Sequence, residues 1–214
     1  MDKPHILANN VRGELLKATL SGIDKFISTY TQIGSSTNFI YEDDIKSELY
    51  SSIKMALDSV GLLRVPNKKE WIICEDHCTK CKEVSIVHCE QTMEGKAVDI
   101  VIWDPVFGDN ATRDYKKKHC IVLIELKQKC CARDLVRGLR HDARKVSEWC
   151  LQAEQVALVI GFCTEPLSKL KLEYKIVSGL SSSIEMGSRK RFAFAICCDG
   201  CADLTLSLQD DLKN

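Results

Sequence analysis

A chain of 214 residues, 45% of them apolar, is long enough to bury a core and too hydrophobic to remain disordered. With 30 basic and 30 acidic side chains its formal charge is zero, which excludes a generally basic nucleic-acid binder and leaves only a surface made cationic by segregation of charge. No run approaches the ~18 consecutive apolar residues of a membrane span, and the amino-terminal stretch lacks a signal-peptide core. A soluble, cytoplasmic (intracellular) protein with no membrane partner is expected.

Twelve cysteines are many for such a chain. Inside a reducing cell, thiols serve as metal ligands or as small buried apolar groups in preference to disulfides. Cys120, Cys163 and Cys197 lie within apolar runs and read as core.

Along the chain, residues 11–33 carry Leu15, Leu16, Thr19, Ile23, Phe26, Ile27 and Tyr30 at steps of three and four, the spacing of a helix with one buried face. "IGSSTN" (33–38) is a turn. A second helix over 42–60 buries Ile45, Leu49, Ile53, Leu57 and Val60; Asp43 and Asp44 suit the positive end of its dipole, and Gly61 closes it. Strands follow at 70–74, 83–89, 97–104 and 120–127, each β-branched or aromatic between turn signals. "EGK" (94–96) is a tight turn and 105–118 a longer polar loop. A helix over 132–153, a strand at 156–162, a polar connector at 166–189 and a last strand at 191–198 complete the chain. This order predicts one α/β domain over 1–214, a mixed central sheet flanked by helices. Within it, 1–38 is a helical extension, 42–163 the core and 71–90 a Cys-rich β-hairpin insertion.

An antiparallel hairpin of 97–104 with 120–127 sets the start of the first strand beside the end of the second. Asp99, Glu125 and Lys127 then meet at one end of the sheet, with Glu125 and Lys127 on the same side of their strand. Two carboxylates and the Leu126 backbone carbonyl form an oxygen-rich site suited to a hard divalent cation, Mg²⁺ or Mn²⁺. Lys127, kept protonated by its acidic neighbours, would stabilise charge on a phosphoryl group or orient an attacking water. The competing reading is a pair of charged, solvated strand ends.

Asp99 in "AVDIVIW" followed by Glu125 and Lys127 in "IELK" resembles the PD-(D/E)xK nuclease superfamily, of restriction-endonuclease-like fold. The resemblance spans roughly 42–163, with Val98 in place of the motif's proline. It implies a metal-dependent nuclease, an endodeoxyribonuclease acting on DNA in preference to RNA, with Asp99, Glu125 and the Leu126 carbonyl on Mg²⁺ and Lys127 beside the attacking water. It also implies a glutamate on a preceding helix; Glu48 in "YEDDIKSELYSSI" is the best match, ahead of Glu42 and Asp44. Cutting both strands of a duplex commonly involves a homodimer. The alternative is a non-catalytic module of the same fold that binds nucleic acid or protein.

Arg133, Arg137, Arg140 and Arg144 fall on one helical face, with Val136, Leu139, Ala143, Val146 and Cys150 on another. That arginine row, with Lys116, Lys117 and Lys118 in the preceding loop, suits contacts to nucleic-acid phosphates. Interleaved Asp134, Asp142 and Glu148 equally allow a solvated, salt-bridged face.

Cys78 and Cys81 form a CxxC between strands, which Cys74 and Cys89 (or His88) would complete as a structural Zn²⁺ site. A second pair, Cys198 and Cys201, would instead share one ion with Cys78 and Cys81; an iron–sulfur cluster and a chance clustering of thiols are the alternatives.

Overall fold

The structure, a computed structural model, describes residues 3–33, 41–66, 83–93, 96–104, 120–149, 156–163, 191–198 and 201–203. Helices α1 (Lys3–Ile33) and α2 (Glu42–Ser59) come first. Strands β1 (Arg64–Pro66), β2 (Glu83–Ser85), β3 (Val87–Met93), β4 (Lys96–Trp103) and β5 (Cys120–Lys129) follow. Helix α3 (Ala132–Trp149) leads to β6 (Val156–Cys163), β7 (Arg191–Cys198) and β8 (Cys201–Asp203). The six strands β3 to β8 form one mixed sheet in chain order. β3, β4 and β5 are an antiparallel meander, β5, β6 and β7 run parallel, and β8 turns back on β7. This is the α/β architecture expected from the alternation of patterns. β1 and β2 pair separately.

The switch from antiparallel to parallel at β5 follows from the connections. A tight turn suffices between antiparallel neighbours, whereas β5 to β6 needs a crossover, which α3 supplies. β6 is buried along its whole length, as parallel strands covered on both faces are. Its neighbouring residues Gly161 and Phe162 show the two coverings. A Cβ at Gly161 would lie 2.9 Å from Leu139 Cδ1, so α3 packs flush on that face. On the other face the Phe162 ring meets Tyr30 of α1 edge-on at 4.9 Å between centroids.

Helix α1 is a full partner in the core, not an appendage. Leu15, Ile23, Phe26, Ile27 and Tyr30 are buried, and α1 touches α2 so closely that a Cβ at Gly22 would come 2.8 Å from Ile53 Cα. Ser52 Oγ donates to Gly22 O at 2.8 Å across that contact. Arg12 anchors α1 to the end of β4, its Nε and Nη2 donating to Asp104 Oδ2 at 2.9 and 2.6 Å.

Several boundaries differ from the sequence reading. α1 starts at Lys3 instead of residue 11, and 83–89 is not one strand but two, broken at Ile86. Ile86 N–H donates to Leu63 O and Ile86 O accepts the Trp103 N–H, so β2 is drawn to β1 and β3 to the central sheet. Residues 87–90 thus belong to the sheet's edge and not to an insertion. The inward face of α3 carries Leu135 and Leu139, while the side chains of Val136, Ala143, Val146 and Cys150 lie outside the described part. Val60 is half exposed. The expected strand at 70–74, the loop at 105–118 and the connector at 166–189 lie outside the described residues.

Candidate active site

In the β4–β5 ladder Ile100 stands opposite Ile124, Val101 opposite Leu123 and Ile102 opposite Val122. One step further along this register, Asp99 falls opposite Glu125, and side chains directly opposed in an antiparallel pair share a face. Lys127, two residues on, shares it as well. Asp99 is pinned there, because its Oδ2 accepts the Leu126 backbone N–H at 2.7 Å. Asp99, Glu125 and Lys127 are therefore brought to one end of the ladder, on the face that α3 covers, with the Leu126 backbone between the last two.

The line continues into β3. Cys89 pairs with Ile100 and Gln91 with Val98, which sets Glu90 opposite Asp99. Glu90 has a φ of 51°, a left-handed conformation uncommon outside glycine. Three carboxylate residues, Glu90, Asp99 and Glu125, thus occupy one line across three strands.

Three lysines stand among these acids. Lys46 of α2 pairs with Glu90, with Asp43 Oδ1 at 2.9 Å and with Asp99 Oδ1 at 3.9 Å. Lys127 Nζ lies 3.3 Å from Glu42 Oε1 and 3.6 Å from Asp142 Oδ2, held between the first turn of α2 and the middle of α3. Glu42 also accepts the Gln128 N–H at 2.8 Å, so it is fixed to β5 at two points. The Lys127 stem crosses α3 where there is no side chain: a Cβ at Gly138 would lie 2.7 Å from Lys127 Cγ. Lys145 of α3 approaches Glu125 Oε1 at 2.7 Å.

Burial governs the charges. Glu125 is 3% exposed, and burial pushes its carboxyl up to about 8; Lys145 pulls the other way, while Asp99 and Asp142 add to the rise. Burial also raises Asp99, against the Leu126 N–H and Lys46. For Lys127 burial works downward, but Asp142 and Glu42 outweigh it and hold the ammonium above its ordinary range. Lys127 is accordingly a proton donor and positive charge at neutral pH, not a general base. Two facing carboxylates that resist joint ionisation, made of hard oxygen donors, fit a divalent cation. Asp99 and Glu125 are the residues that would hold it. Among the described residues no three His, Cys, Asp or Glu side chains converge as a ready-made metal cage.

The helix glutamate at the site is Glu42, not Glu48. Glu48 is exposed, about 120° around α2 from Glu42 by helical geometry, and Asp44 instead caps the helix by accepting Tyr41 N–H at 3.0 Å. Asp142, read as part of a solvated face, is 5% exposed and turned toward Lys127. Asp142 and Lys145 extend the inward stripe Leu135–Leu139 at helical spacing, which is the signal by which the sequence marks them. Glu90 had no comparable signal apart from its place in the β3–β4 register.

Arg133 and Arg137 are exposed on α3. The side chains of Arg140 and Arg144, and residues Lys116, Lys117 and Lys118, lie outside the described part. So do Cys74, Cys78 and Cys81. Cys89 is half-buried against the core, and burial pushes its thiol up to about 11. The His88 ring is tied to Ser85 O at 2.8 Å. Cys198 and Cys201 are backbone partners in the β7–β8 ladder. Among the described residues no helix is long and apolar enough to cross a membrane. No family model, curated protein or solved structure matches the chain.

Proposed function

We propose that the protein is a divalent-metal-dependent nuclease of restriction-endonuclease-like fold, an endodeoxyribonuclease that hydrolyses phosphodiester bonds in DNA. The observation that carries this reading is the common face shared by Asp99, Glu125 and Lys127 at one end of the β4–β5 ladder. Asp99 and Glu125, with the Leu126 carbonyl, would hold Mg²⁺ or Mn²⁺. Such an ion, when bound, polarises the phosphoryl group and makes a water more acidic.

The chain's own residues do the rest. Lys127, fixed between Glu42 and Asp142, offers its Nζ protons to the attacking water or to a non-bridging phosphoryl oxygen as negative charge builds there. Glu42 positions Lys127 and the Gln128 backbone together. Exposed Arg133 and Arg137 on the following helix supply phosphate contacts, and a homodimer would address both strands of a duplex.

A second reading, a non-catalytic nucleic-acid- or protein-binding module of the same fold with structural Zn²⁺ at its cysteines, is favoured by one observation. The Lys145–Glu125 pair already neutralises the buried carboxylate. Incubation with plasmid, linear and single-stranded DNA and with RNA, in Mg²⁺, Mn²⁺ or EDTA, separates the two. Metal-dependent cleavage supports the nuclease, and cleavage of none of them supports the binding module. Elemental analysis of the same sample reads the zinc.

A further inference from the structure

We infer that Lys145 is the resident counter-charge of the metal-free site, and that a divalent cation loads by displacing the Lys145 ammonium from Glu125 instead of entering an open position. The inference rests on the metal-site reading of Asp99 and Glu125.

The argument begins with Glu125, which is nearly removed from water at 3% exposure. A carboxylate there is stable only with a cation against it. Lys145 Nζ provides one at 2.7 Å from Oε1. Glu125 is also one of the two carboxylates that would hold the divalent cation.

The neighbouring lysine is held quite differently. Lys127 lies between two carboxylates from two helices, and its stem is wedged over Gly138, where no Cβ would fit. Lys145 projects from α3 one turn beyond Asp142. A doubly charged ion between Asp99 and Glu125 outcompetes a single ammonium for Oε1, and the long lysine stem lets the head group move out to water. Metal loading is then an exchange of cations, which keeps the buried carboxylate neutralised throughout.

Calcium binding by calorimetry at pH 9, above the value to which burial lifts Glu125, tests this on the wild type, Lys145→Met, Lys145→Arg and Asp99→Asn. Lys145→Met is expected to bind Ca²⁺ at least about tenfold more tightly than wild type, and Lys145→Arg to stay close to it. In wild-type protein, amine-selective labelling of Lys145, followed by peptide mass spectrometry, is expected to accelerate several-fold when Ca²⁺ is added. That second readout does not depend on the Met variant folding. If wild type binds Ca²⁺ through Asp99 but Lys145→Met binds no tighter and labelling is unchanged, the exchange is overturned and the metal site stands. Binding by Lys145→Met alone supports the exchange. Binding by neither overturns both.

Discussion

Asp99 Oδ2 accepts the Leu126 backbone N–H at 2.7 Å, so the acid on β4 is fastened to the strand that carries Glu125 and Lys127. An amide at position 99 can accept the same N–H through its carbonyl oxygen while losing the negative charge. Asp99→Asn is therefore expected to fold and melt like wild type, yet to bind Mn²⁺ at least about a hundredfold more weakly, since even outer-shell changes cost 10–100-fold. Calorimetry with far-UV circular dichroism checks both halves. Unchanged affinity in the folded variant would remove Asp99 from the site.

Glu125 gives the site a pH dependence with a definite sign. Its folded value, about 8, lies above the ordinary 4.5, so the folded state binds the extra proton. The contribution of this residue to stability is intact below pH 4.5 and is lost as pH rises toward 8. In EDTA, the wild-type urea midpoint measured against Glu125→Gln should fall between pH 5 and pH 8.5. Divalent metal, which needs the ionised carboxylate, should bind more tightly over the same range and restore the midpoint. A wild-type midpoint that tracks Glu125→Gln across this range would contradict the assignment.

Glu42 and Glu48 offer a comparison on one helix. Glu42 touches Lys127 Nζ and the Gln128 N–H, whereas Glu48 is exposed. Glu42→Gln should lower metal-dependent DNA cleavage about tenfold to a hundredfold by loosening Lys127. Glu48→Gln should leave the rate within twofold of wild type, roughly the scatter expected of a surface change. A larger loss in Glu48→Gln than in Glu42→Gln would reverse the placement of α2.

Gly138 leaves room for the Lys127 stem on α3. Alanine favours a helix interior over glycine by about 1 kcal/mol, but its Cβ would press on Lys127 Cγ and Cδ at 2.7 and 2.9 Å. Gly138→Ala is expected to lower the urea midpoint, because the clash with the root of the Lys127 side chain outweighs the helix gain, and to cut the cleavage rate roughly tenfold, since small misplacements cost heavily in rate. A variant with wild-type rate would show that the path of Lys127 over α3 is not needed.

The antiparallel pairing of β4 with β5 was legible because both strands are short β-branched runs whose polar ends interrupt the pattern at Asp99, Glu125 and Lys127. The helix after β5 and the apolar strand β6 were legible by length and apolarity, though the parallel pairing of β6 was not. What the sequence hid was rotation about helix axes. "YEDDIKSEL" offers four acids within two turns, and only the docking of Ile45, Leu49 and Ile53 into the core decides that Glu42 reaches β5. On α3 the arginine row draws the eye, yet the inward line Leu135, Leu139, Asp142, Lys145 carries the site. Its polar members lie at core spacing because that end of the helix covers charged residues and not apolar ones. The break at Ile86 depends on tertiary hydrogen bonds to Leu63 and Trp103, which local pattern does not encode.

The most direct test of the central claim is conversion of supercoiled plasmid by wild type, Glu125→Gln and Lys127→Met in Mg²⁺ and in EDTA. The account predicts nicked or linear product from wild type in Mg²⁺ alone, with both folded variants reduced at least about a hundredfold. Cleavage that persists in EDTA, or that survives both substitutions, would contradict it.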